Sequence, residues 1–378
     1  MDFNQTEEQS LIRSMIREFA QTEVAPKAAE LDENERFPVE TMQRLAELDL
    51  TGMTLPREYG GAGLDYISYA IVIEELSRAC ASTALILAVH TLAGIPLYQF
   101  GTEEQRKKWL PKLVNYELLG AFALTEPGAG TDAGSLQATA VLDQSEYVLN
   151  GTKTFITNGA EAGLFIVMAL TEQGVGTKGI SAFLVEKGTP GLSVGKHERK
   201  MGMRGSSTTE LVLKNCRIPR ENLLGKEGQG FKIAMAALDS GRISIAAQSV
   251  GIAQACIDES VNYAKERIQF KRPLAANQAI QWMLAEMETD VNAARLLTYE
   301  AAHLKETGAP VSNHSAMAKL FASVIAERCA SKAVQIHGGY GYVKDFAVER
   351  LYRDARVLQI YEGTSEVQKM VIAGHLLR

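Results

Sequence analysis

A glutamate near the carboxyl-terminal end of the chain has the surroundings of a general base. Glu362 follows the apolar, β-prone pair Ile360-Tyr361 and precedes Gly363, which breaks the chain, and Thr364-Ser365 can cap a following helix. This order predicts a carboxylate on a short loop between two helices, beside an aromatic ring and backbone N–H groups, where it could accept a proton. The same residues also fit a capping or surface glutamate, and composition alone favours that interpretation.

A glycine-rich loop, GAGTDAG at residues 128–134, is close to a dinucleotide-binding fingerprint. Its last spacing is one residue too long, and β-rich runs flank it instead of the strand and helix of a βαβ unit, so a Rossmann site is excluded. Backbone N–H groups of the loop and the hydroxyls of Thr125 and Thr131 could still hold a pyrophosphate. A plain glycine-rich turn fits the loop equally well.

The sequence gives little support to metal or nucleophile chemistry. Glu300-x-x-His303 is similar to half of a di-iron carboxylate site, but the second Glu-x-x-His that such a site needs is absent, which predicts a surface position for His303. No G-x-S-x-G elbow and no C-x-x-C pair occurs. We expect buried thiols in a reducing compartment at the four cysteines, Cys80, Cys216, Cys256 and Cys329.

Composition excludes several classes of protein. The chain has 378 residues, and its 39 basic and 45 acidic residues give a net charge of −6, which disfavours nucleic acid or an anionic membrane as the main partner. Its 46% apolar and 22% charged residues are typical of a folded globular protein. The first ten residues lack the pattern of a signal peptide. Residues 80–102 carry no full charge, but Pro96 and several polar residues predict a buried helix followed by a turn.

Periodicity divides the chain into three regions that must position these residues. Residues 1–120 are predicted to be a helical domain, residues 121–225 an antiparallel β domain with hairpins, and residues 226–378 an antiparallel helical bundle. Helices are predicted at 39–48 and 66–78, and strands at 121–124, 147–149, 154–157, 165–170, 180–185 and 210–213. Apolar helical stripes are predicted at Leu11, Ile12, Met15, Ile16 and Phe19; at Ile280, Met283, Leu284, Met287, Val291 and Ala294; and at Ala316, Leu320, Val324 and Ile325.

Seven motifs, in order along nearly the whole chain, resemble those of the flavin-dependent acyl-CoA dehydrogenases. They are TEPGAGTDAGS (125–135), FITNG (155–159), KMGMRGSSTTE (200–210), GKEGQGF (225–231), GRISIAAQSVGIAQ (241–254), QIHGGYGY (335–342) and RDARVLQIYEGTSEVQ (353–368). The final residues, VIAGHLLR (371–378), are most similar to short-chain (butyryl-type) members.

This resemblance implies a fold and a function. The fold is mainly α, with an N-terminal helical domain, a middle β-barrel or sandwich and a C-terminal four-helix bundle. The function is FAD-dependent α,β-dehydrogenation of a short-chain acyl-CoA in fatty acid β-oxidation, with electrons passed to an electron-transferring flavoprotein. The family also implies a homotetramer with FAD at a subunit interface, in the bacterial cytoplasm or an organellar matrix.

The resemblance also assigns roles to individual residues. Glu362 matches the catalytic base. The positions that match FAD contacts are Phe122, Leu124, Thr125, Gly130, Thr131, Phe155, Thr157, Arg267, Phe270, Gln278, Gln335, Gly338, Gly339, Thr364 and Glu366. The positions that match substrate contacts are Thr131, Asp239, Arg242, Tyr361 and Gly363.

Two positions bear on how far these roles transfer. Relatives usually have Phe-Gly-x-Pro where this chain has Phe-Lys-Arg-Pro at 270–273, which weakens the expected FAD contact there. Some subfamilies carry the base at the position of Gly241, so the glycine here assigns the base to Glu362. An acyl-CoA oxidase of the same fold, a medium- or branched-chain specificity and a non-catalytic scaffold are the alternatives.

Overall fold

The computed structural model describes residues 4–377, and its amino-terminal part is helical. Capping boxes begin two of the helices, because the Thr6 and Thr102 hydroxyls accept from backbone N–H groups of Gln9 and Gln105, whose side chains bond back. The helices are α1 (Glu7–Phe19), α2 (Ala28–Glu33), α3 (Val39–Glu47), α4 (Tyr66–Ala79), α5 (Ala81–Phe100) and α6 (Glu103–Val114). The helices predicted at 39–48 and 66–78 are therefore confirmed to within a residue.

The apolar stripe predicted for α1 is only partly buried. Ile12, Ile16 and Phe19 lie in the core, as expected. Leu11 is 71% exposed and Met15 is 37% exposed, so their assignment to the buried face is wrong. The helix buries one narrow face against α4, and residues one position away from that face point outward.

Helix α5 is longer than predicted. It continues through Pro96 to Phe100, so the predicted turn at the proline is wrong. A proline removes one helical N–H, but surrounding packing can hold the helix together when the residues around it are buried, as here. The helix is apolar and long enough to cross a membrane by composition, yet 94% of its most apolar window is buried inside the protein, as in a core helix.

A mixed sheet forms the middle of the chain. Its strands are β1 (Gly120–Ala123), β2 (Thr139–Asp143), β3 (Glu146–Thr157), β4 (Leu164–Leu170), β5 (Ile180–Glu186), β6 (Leu192–His197), β7 (Thr208–Pro219) and β8 (Leu223–Leu224). The order is β6-β7-β3-β2-β4-β5-β8, and β1 pairs with β4. Both β1 and β2 are parallel to β4, which corrects the expectation of a purely antiparallel domain.

The predicted strands at 147–149 and 154–157 are one strand, β3. Asn150-Gly151 lies inside this strand and not at a hairpin turn, because Gly151 adopts a φ of 148° and the pairing with β7 shifts register there. A glycine at a bulge resembles turn punctuation in the sequence alone. The sequence analysis also missed β6, whose residues are all partly or fully exposed and lack an apolar face.

Long helices return after the sheet. They are α7 (Gly230–Glu266), α8 (Gln278–Glu306), α9 (Ser312–His337), α10 (Ala347–Arg356) and α11 (Ser365–Leu376). The α8 stripe is confirmed in part, with Met287, Val291 and Ala294 buried and the others packed against the core. In α9, Val324 is 42% exposed, so its place in the buried stripe is wrong.

Helix α7 packs against helices of both ends of the chain, α4, α5, α8 and α9. A Cβ at Gly251 would lie 2.2 Å from the carbonyl oxygen of Glu74, so the glycine permits the close approach of α7 and α4. This contact brings the two helical regions into one core.

A short hairpin, β9 (Ile268–Gln269) with β10 (Arg272–Pro273), joins α7 to α8. Its turn residues Phe270 and Lys271 adopt φ values of 52° and 65°. Two left-handed residues are what a two-residue hairpin turn requires, and glycine adopts that conformation without strain. The lysine therefore keeps the hairpin at some cost in backbone strain.

A buried histidine joins three of these elements. His90 on α5 accepts a hydrogen bond at Nδ1 from the backbone N–H of Gly120 (2.9 Å) and lies 3.1 Å from the Leu113 carbonyl through Nε2. Since Nδ1 accepts, Nε2 carries the proton and donates to Leu113. Burial lowers the pKa of His90 to about 4, so the ring is neutral at pH 7.

We predict that acidification destabilises the protein through His90. Between pH 6.5 and 4, His90 is protonated in the unfolded chain and still neutral in the folded protein. As the pH is lowered through this range, the free energy of unfolding should therefore decrease by about 3 kcal/mol because of this group. The measurement is urea unfolding at several pH values for the wild type and for His90→Gln. The variant should show the shallower decline, and two parallel curves would contradict the assignment.

Candidate active site

The loop that carries Glu362 is shaped by its own sequence. A 3₁₀ turn, Val357–Gln359, ends with the N–H groups of Ile360 and Tyr361 bonded to the Val357 carbonyl. Glu362 and Gly363 then adopt φ values of 51° and 87°. A glutamate in this left-handed region is strained, and such residues persist where the surroundings hold them, often at functional sites.

Thr364 ends the loop by capping α11. Its side chain accepts from the N–H of Val367 at 3.3 Å, as the sequence predicted. The cap fixes where the helix begins. Glu362 lies two residues before the cap residue Thr364, on a short connection between helices, as predicted.

Three side chains outside the loop hold it in place. The Lys319 ammonium on α9 donates to the Gly363 carbonyl at 2.6 Å, and the Gln368 amide on α11 donates to the same oxygen at 2.9 Å. On the other side, the Tyr361 hydroxyl donates to Oε1 of Gln248 on α7. The Gln248 amide in turn donates to the Ala81 carbonyl at 2.9 Å.

The Glu362 carboxylate points at a gap left by a glycine. A Cβ at Gly241 on α7 would lie 3.0 Å from Oε2 of Glu362 and 3.4 Å from Cδ1 of Leu92. Oε2 is buried and has no hydrogen-bond partner in the described part of the chain. A buried polar atom without a partner is rare in folded proteins, and it marks a place where a ligand or a reaction supplies one.

Burial raises the pKa of Glu362, and the cations of Lys319 and Arg242 oppose that rise. Arg242 is itself buried, and its Nη1 lies 2.7 Å from Oδ1 of Asp239, one turn earlier on α7. The predicted substrate contacts Asp239, Arg242, Tyr361 and Gly363 therefore surround the predicted base. A carboxylate in such a place can take a proton from a substrate that excludes water.

The glycine-rich loop is anchored by a buried ion pair. The Lys153 ammonium on β3, wholly buried, lies 2.6 Å from Oε1 of Glu126 and 3.1 Å from the Leu124 carbonyl. The Glu126 carboxylate also accepts from the backbone N–H groups of Gln137 (2.6 Å) and Ala138 (3.0 Å). Both ends of the loop are thus tied to one fully hydrogen-bonded carboxylate.

The face of this loop is open. A Cβ at Gly128 or Gly130 would meet nothing within 4 Å. The neighbouring Phe155 has a φ of 56° at a register shift of β3, and it is 64% exposed while Lys153 and Thr154 are buried. The bulge therefore turns an aromatic ring out of the sheet. Among the other predicted FAD contacts of this region, Phe122, Thr125 and Thr157 are half-buried, Thr131 is exposed and Leu124 is buried.

A second group of the predicted FAD contacts borders a cavity of about 600 Å³. Arg267, Gly338 and Gly339 line this cavity, and the Arg267 guanidinium lies 5.2 Å from the ring centroid of Tyr340. Phe270 is 94% exposed on the hairpin, and Gln278 and Gln335 are exposed. None of the residues that line this cavity comes from the glycine-rich loop, so the predicted FAD contacts fall into two groups.

Other chemistry-bearing residues lie apart from these sites. Glu300 and His303 are exposed on α8, as expected of a helix surface. The four cysteines are buried free thiols.

The sequence analysis missed Lys319, Gln368 and Gln248. One signal was available for Lys319: it lies three residues after Ala316, on the predicted buried face of α9, where a charge needs a partner. No signal in the sequence marked Gln248 or Gln368 as anchors of the loop.

Comparisons with known proteins agree along the whole chain. The chain matches the acyl-CoA dehydrogenase N-terminal domain over residues 6–117, the middle domain over 121–216 and the C-terminal domain over 228–377. The chain belongs to the acyl-CoA dehydrogenase family. It is 52% identical to the short-chain specific acyl-CoA dehydrogenase of Clostridium acetobutylicum, and the match covers 100% of both chains.

Solved structures give the same result. Butyryl-CoA dehydrogenase from Megasphaera elsdenii superimposes with a TM-score of 0.98, at 46% identity and 100% coverage of both chains. A chain from a structural study of the electron transferring flavoprotein of Acidaminococcus fermentans superimposes with a TM-score of 0.99, at 48% identity and 100% coverage of both chains. The mixed sheet and flanking helices of this protein are therefore the acyl-CoA dehydrogenase architecture.

Acyl-CoA dehydrogenases are FAD enzymes, and the residues of this acyl-CoA dehydrogenase fit that cofactor. The turned-out ring of Phe155 offers a face to a flat heterocycle, and the open glycine loop offers backbone N–H groups to a pyrophosphate. When bound, FAD supplies the hydride acceptor, and the protein supplies position and charge.

We predict that the Lys153–Glu126 pair holds the cofactor loop in shape. Lys153→Met leaves the Glu126 carboxylate buried without its cation, which should lower the free energy of unfolding by about 3 to 5 kcal/mol and reduce the bound FAD. Urea unfolding and the flavin absorbance per protein measure the two effects. Lys153→Met combined with Glu126→Gln removes the orphaned charge and should recover most of the stability, whereas equal losses in both variants would contradict a charge-pairing role.

Proposed function

We propose that this acyl-CoA dehydrogenase removes the α-proton of a short-chain acyl-CoA with Glu362 as the base. The observation that carries the proposal is the buried Oε2 of Glu362, which has no hydrogen-bond partner among residues 4–377 and faces Gly241 on α7. An acyl chain bound with its thioester beside that oxygen would present an α-hydrogen to the carboxylate. Bound FAD would supply the acceptor for the β-hydrogen as hydride, so that the product would be the trans-2-enoyl-CoA.

Burial strengthens Glu362 as a base. A free glutamate has a pKa near 4.3, far too low for a thioester α-carbon. Desolvation raises the pKa of Glu362, and an acyl chain that displaces water raises it further. Since the deprotonated form reacts, the rate should rise with pH through this raised pKa. The Arg242 and Lys319 cations oppose this rise in the pKa and favour the ionised carboxylate.

Substrate charge also develops on the thioester oxygen, and the loop can stabilise it. By resemblance, the Glu362 backbone N–H would donate to that oxygen, and FAD would supply a second donor. The left-handed conformation of Glu362 and Gly363 is what directs this part of the backbone. Thr131, Asp239, Arg242, Tyr361 and Gly363 are the proposed substrate contacts.

Similarity favours a short acyl chain. The relatives from Clostridium acetobutylicum (52% identity) and Mus musculus (50% identity) are short-chain specific by name. Leu92 on α5 borders the space at Gly241, within the segment 85–97 that we expect to line the acyl cavity. An electron-transferring flavoprotein is the proposed electron acceptor, which the similarity to the Acidaminococcus chain supports.

We propose a homotetramer in which a neighbouring subunit completes each FAD site. Two observations support it: the predicted FAD contacts form two groups, and large apolar side chains are exposed around the second of them. Phe270 is 94% exposed, Tyr342 is 88% exposed and Trp282 is 63% exposed. A reducing compartment, such as a bacterial cytoplasm or an organellar matrix, suits the four free thiols.

We predict that Glu362→Gln abolishes dehydrogenation and preserves the protein. The amide has the same shape but accepts no proton at neutral pH, so turnover should fall by about 1,000-fold or more. FAD content and affinity for butyryl-CoA should stay close to the wild-type values. Anaerobic flavin reduction by butyryl-CoA is the assay, and turnover near the wild-type rate would place the base elsewhere.

We predict that short acyl-CoA substrates reduce the flavin fastest. Anaerobic titration of the yellow protein with straight and branched acyl-CoA substrates of increasing length measures the rate of bleaching for each. Butyryl-CoA should lead the series, and a maximum at medium chain length would contradict the short-chain assignment. Rapid peroxide formation in air without an electron carrier would favour an acyl-CoA oxidase, and a colourless protein would favour a scaffold.

A further inference from the structure

Lys319 is a wholly buried lysine, and within the part of the chain that the structure describes its side chain hydrogen-bonds only to the base loop, residues 360–364. Its side chain has no exposed surface, and its Nζ donates to the Gly363 carbonyl at 2.6 Å. It forms no ion pair within residues 4–377. Burying an ammonium ion without a contacting carboxylate is unfavourable, so the lysine is retained at a cost in stability.

The position of this ammonium links it to the reacting group. It hydrogen-bonds to Gly363, the residue directly after Glu362. Its strongest electrostatic attraction is to the Glu362 carboxylate. Burial lowers the pKa of Lys319 to about 8, so the side chain carries its charge at neutral pH. The ammonium therefore attracts the carboxylate through space while it is hydrogen-bonded to the Gly363 carbonyl. It does not occupy the carboxylate oxygen that would accept a proton from the substrate.

The remaining groups around Glu362 come from the loop itself and from four helices. Arg242 on α7 supplies the other cation, and Asp239 partly neutralises it. Tyr69 on α4 and Tyr361 on the loop are buried phenols whose pKa values are raised by burial, so both are neutral. Glu366 on α11 faces Lys319, and Asp354 on α10 faces Tyr361. Lys319 is thus one of two positive charges that favour the ionised base.

We propose that Lys319 is a positioning residue for the dehydrogenation. Its ammonium holds the Gly363 carbonyl in place, and its positive charge, together with that of Arg242, favours the ionised form of the buried Glu362. This inference deepens the proposed function and rests on Glu362 being the base. The hydrogen bond and the charge can be tested separately, because the uncharged Gln368 amide donates to the same Gly363 carbonyl at 2.9 Å.

The chain offers a matched set of variants to separate charge from clamp. Lys319→Gln keeps a donor for the Gly363 carbonyl and removes the charge. Gln368→Met removes a clamp and keeps the charge. Lys319→Arg keeps a permanent charge. Each purified holoenzyme is assayed for the pH dependence of the anaerobic flavin-reduction rate with butyryl-CoA, for butyryl-CoA affinity and for the melting temperature.

We expect Lys319→Gln to move the midpoint of the pH profile upward by about one pH unit, with little change in butyryl-CoA affinity, because an opposite charge nearby favours the carboxylate. Gln368→Met should lower the maximal rate and leave the midpoint in place. Lys319→Arg should restore the wild-type midpoint.

A folded Lys319→Gln enzyme with the wild-type midpoint would overturn the inference. If Lys319→Gln fails to fold, an unshifted midpoint in folded Lys319→Met would overturn it in the same way, and a shifted midpoint there would support it. The proposed function fails on a different result, namely turnover that survives Glu362→Gln.

Discussion

A dehydrated carboxylate is the constraint around which the active site is arranged. Taking an ionised glutamate out of water is unfavourable, and one oxygen of Glu362 has no hydrogen bond to offset the loss. The protein keeps the group in this state with two buried cations and with a loop that cannot relax away. The proposed proton abstraction needs this imbalance, because a carboxylate that was fully hydrogen-bonded would be a weaker base.

Several helices contact the loop that carries the buried Glu362 carboxylate and hold it in place. Helix α7 supplies Gly241, Arg242 and Gln248, helix α9 supplies Lys319, and the cap of α11 fixes the end of the loop. Helices packed on several sides hold side chains more closely than loops do. The strained residue at the base is therefore supported by elements from distant parts of the chain.

Sequence patterns predicted the helices and strands better than they predicted the connections between them. Helices with one apolar face and a loop with capping residues follow local rules, and these predictions agree with the structure. The predictions failed where tertiary contacts override local preference. Pro96 lies inside a helix that the core holds, Gly151 lies inside a strand where a turn was predicted, and the direction of β1 relative to β4 depends on strands far apart in sequence. Lys319 lies on the predicted buried face of α9, but the sequence alone does not show which group its charge faces.

The bulge in β3 limits how this part of the gene can change over evolution. Lys153 must face inward to reach Glu126, and Phe155, only two residues later, must face outward to remain exposed. Ordinary strand geometry would place both side chains on the same face. The gain or loss of a single codon between these two positions would change which faces of the strand their side chains occupy. Lineages of this enzyme should therefore vary in residue type along the strand and stay constant in its length.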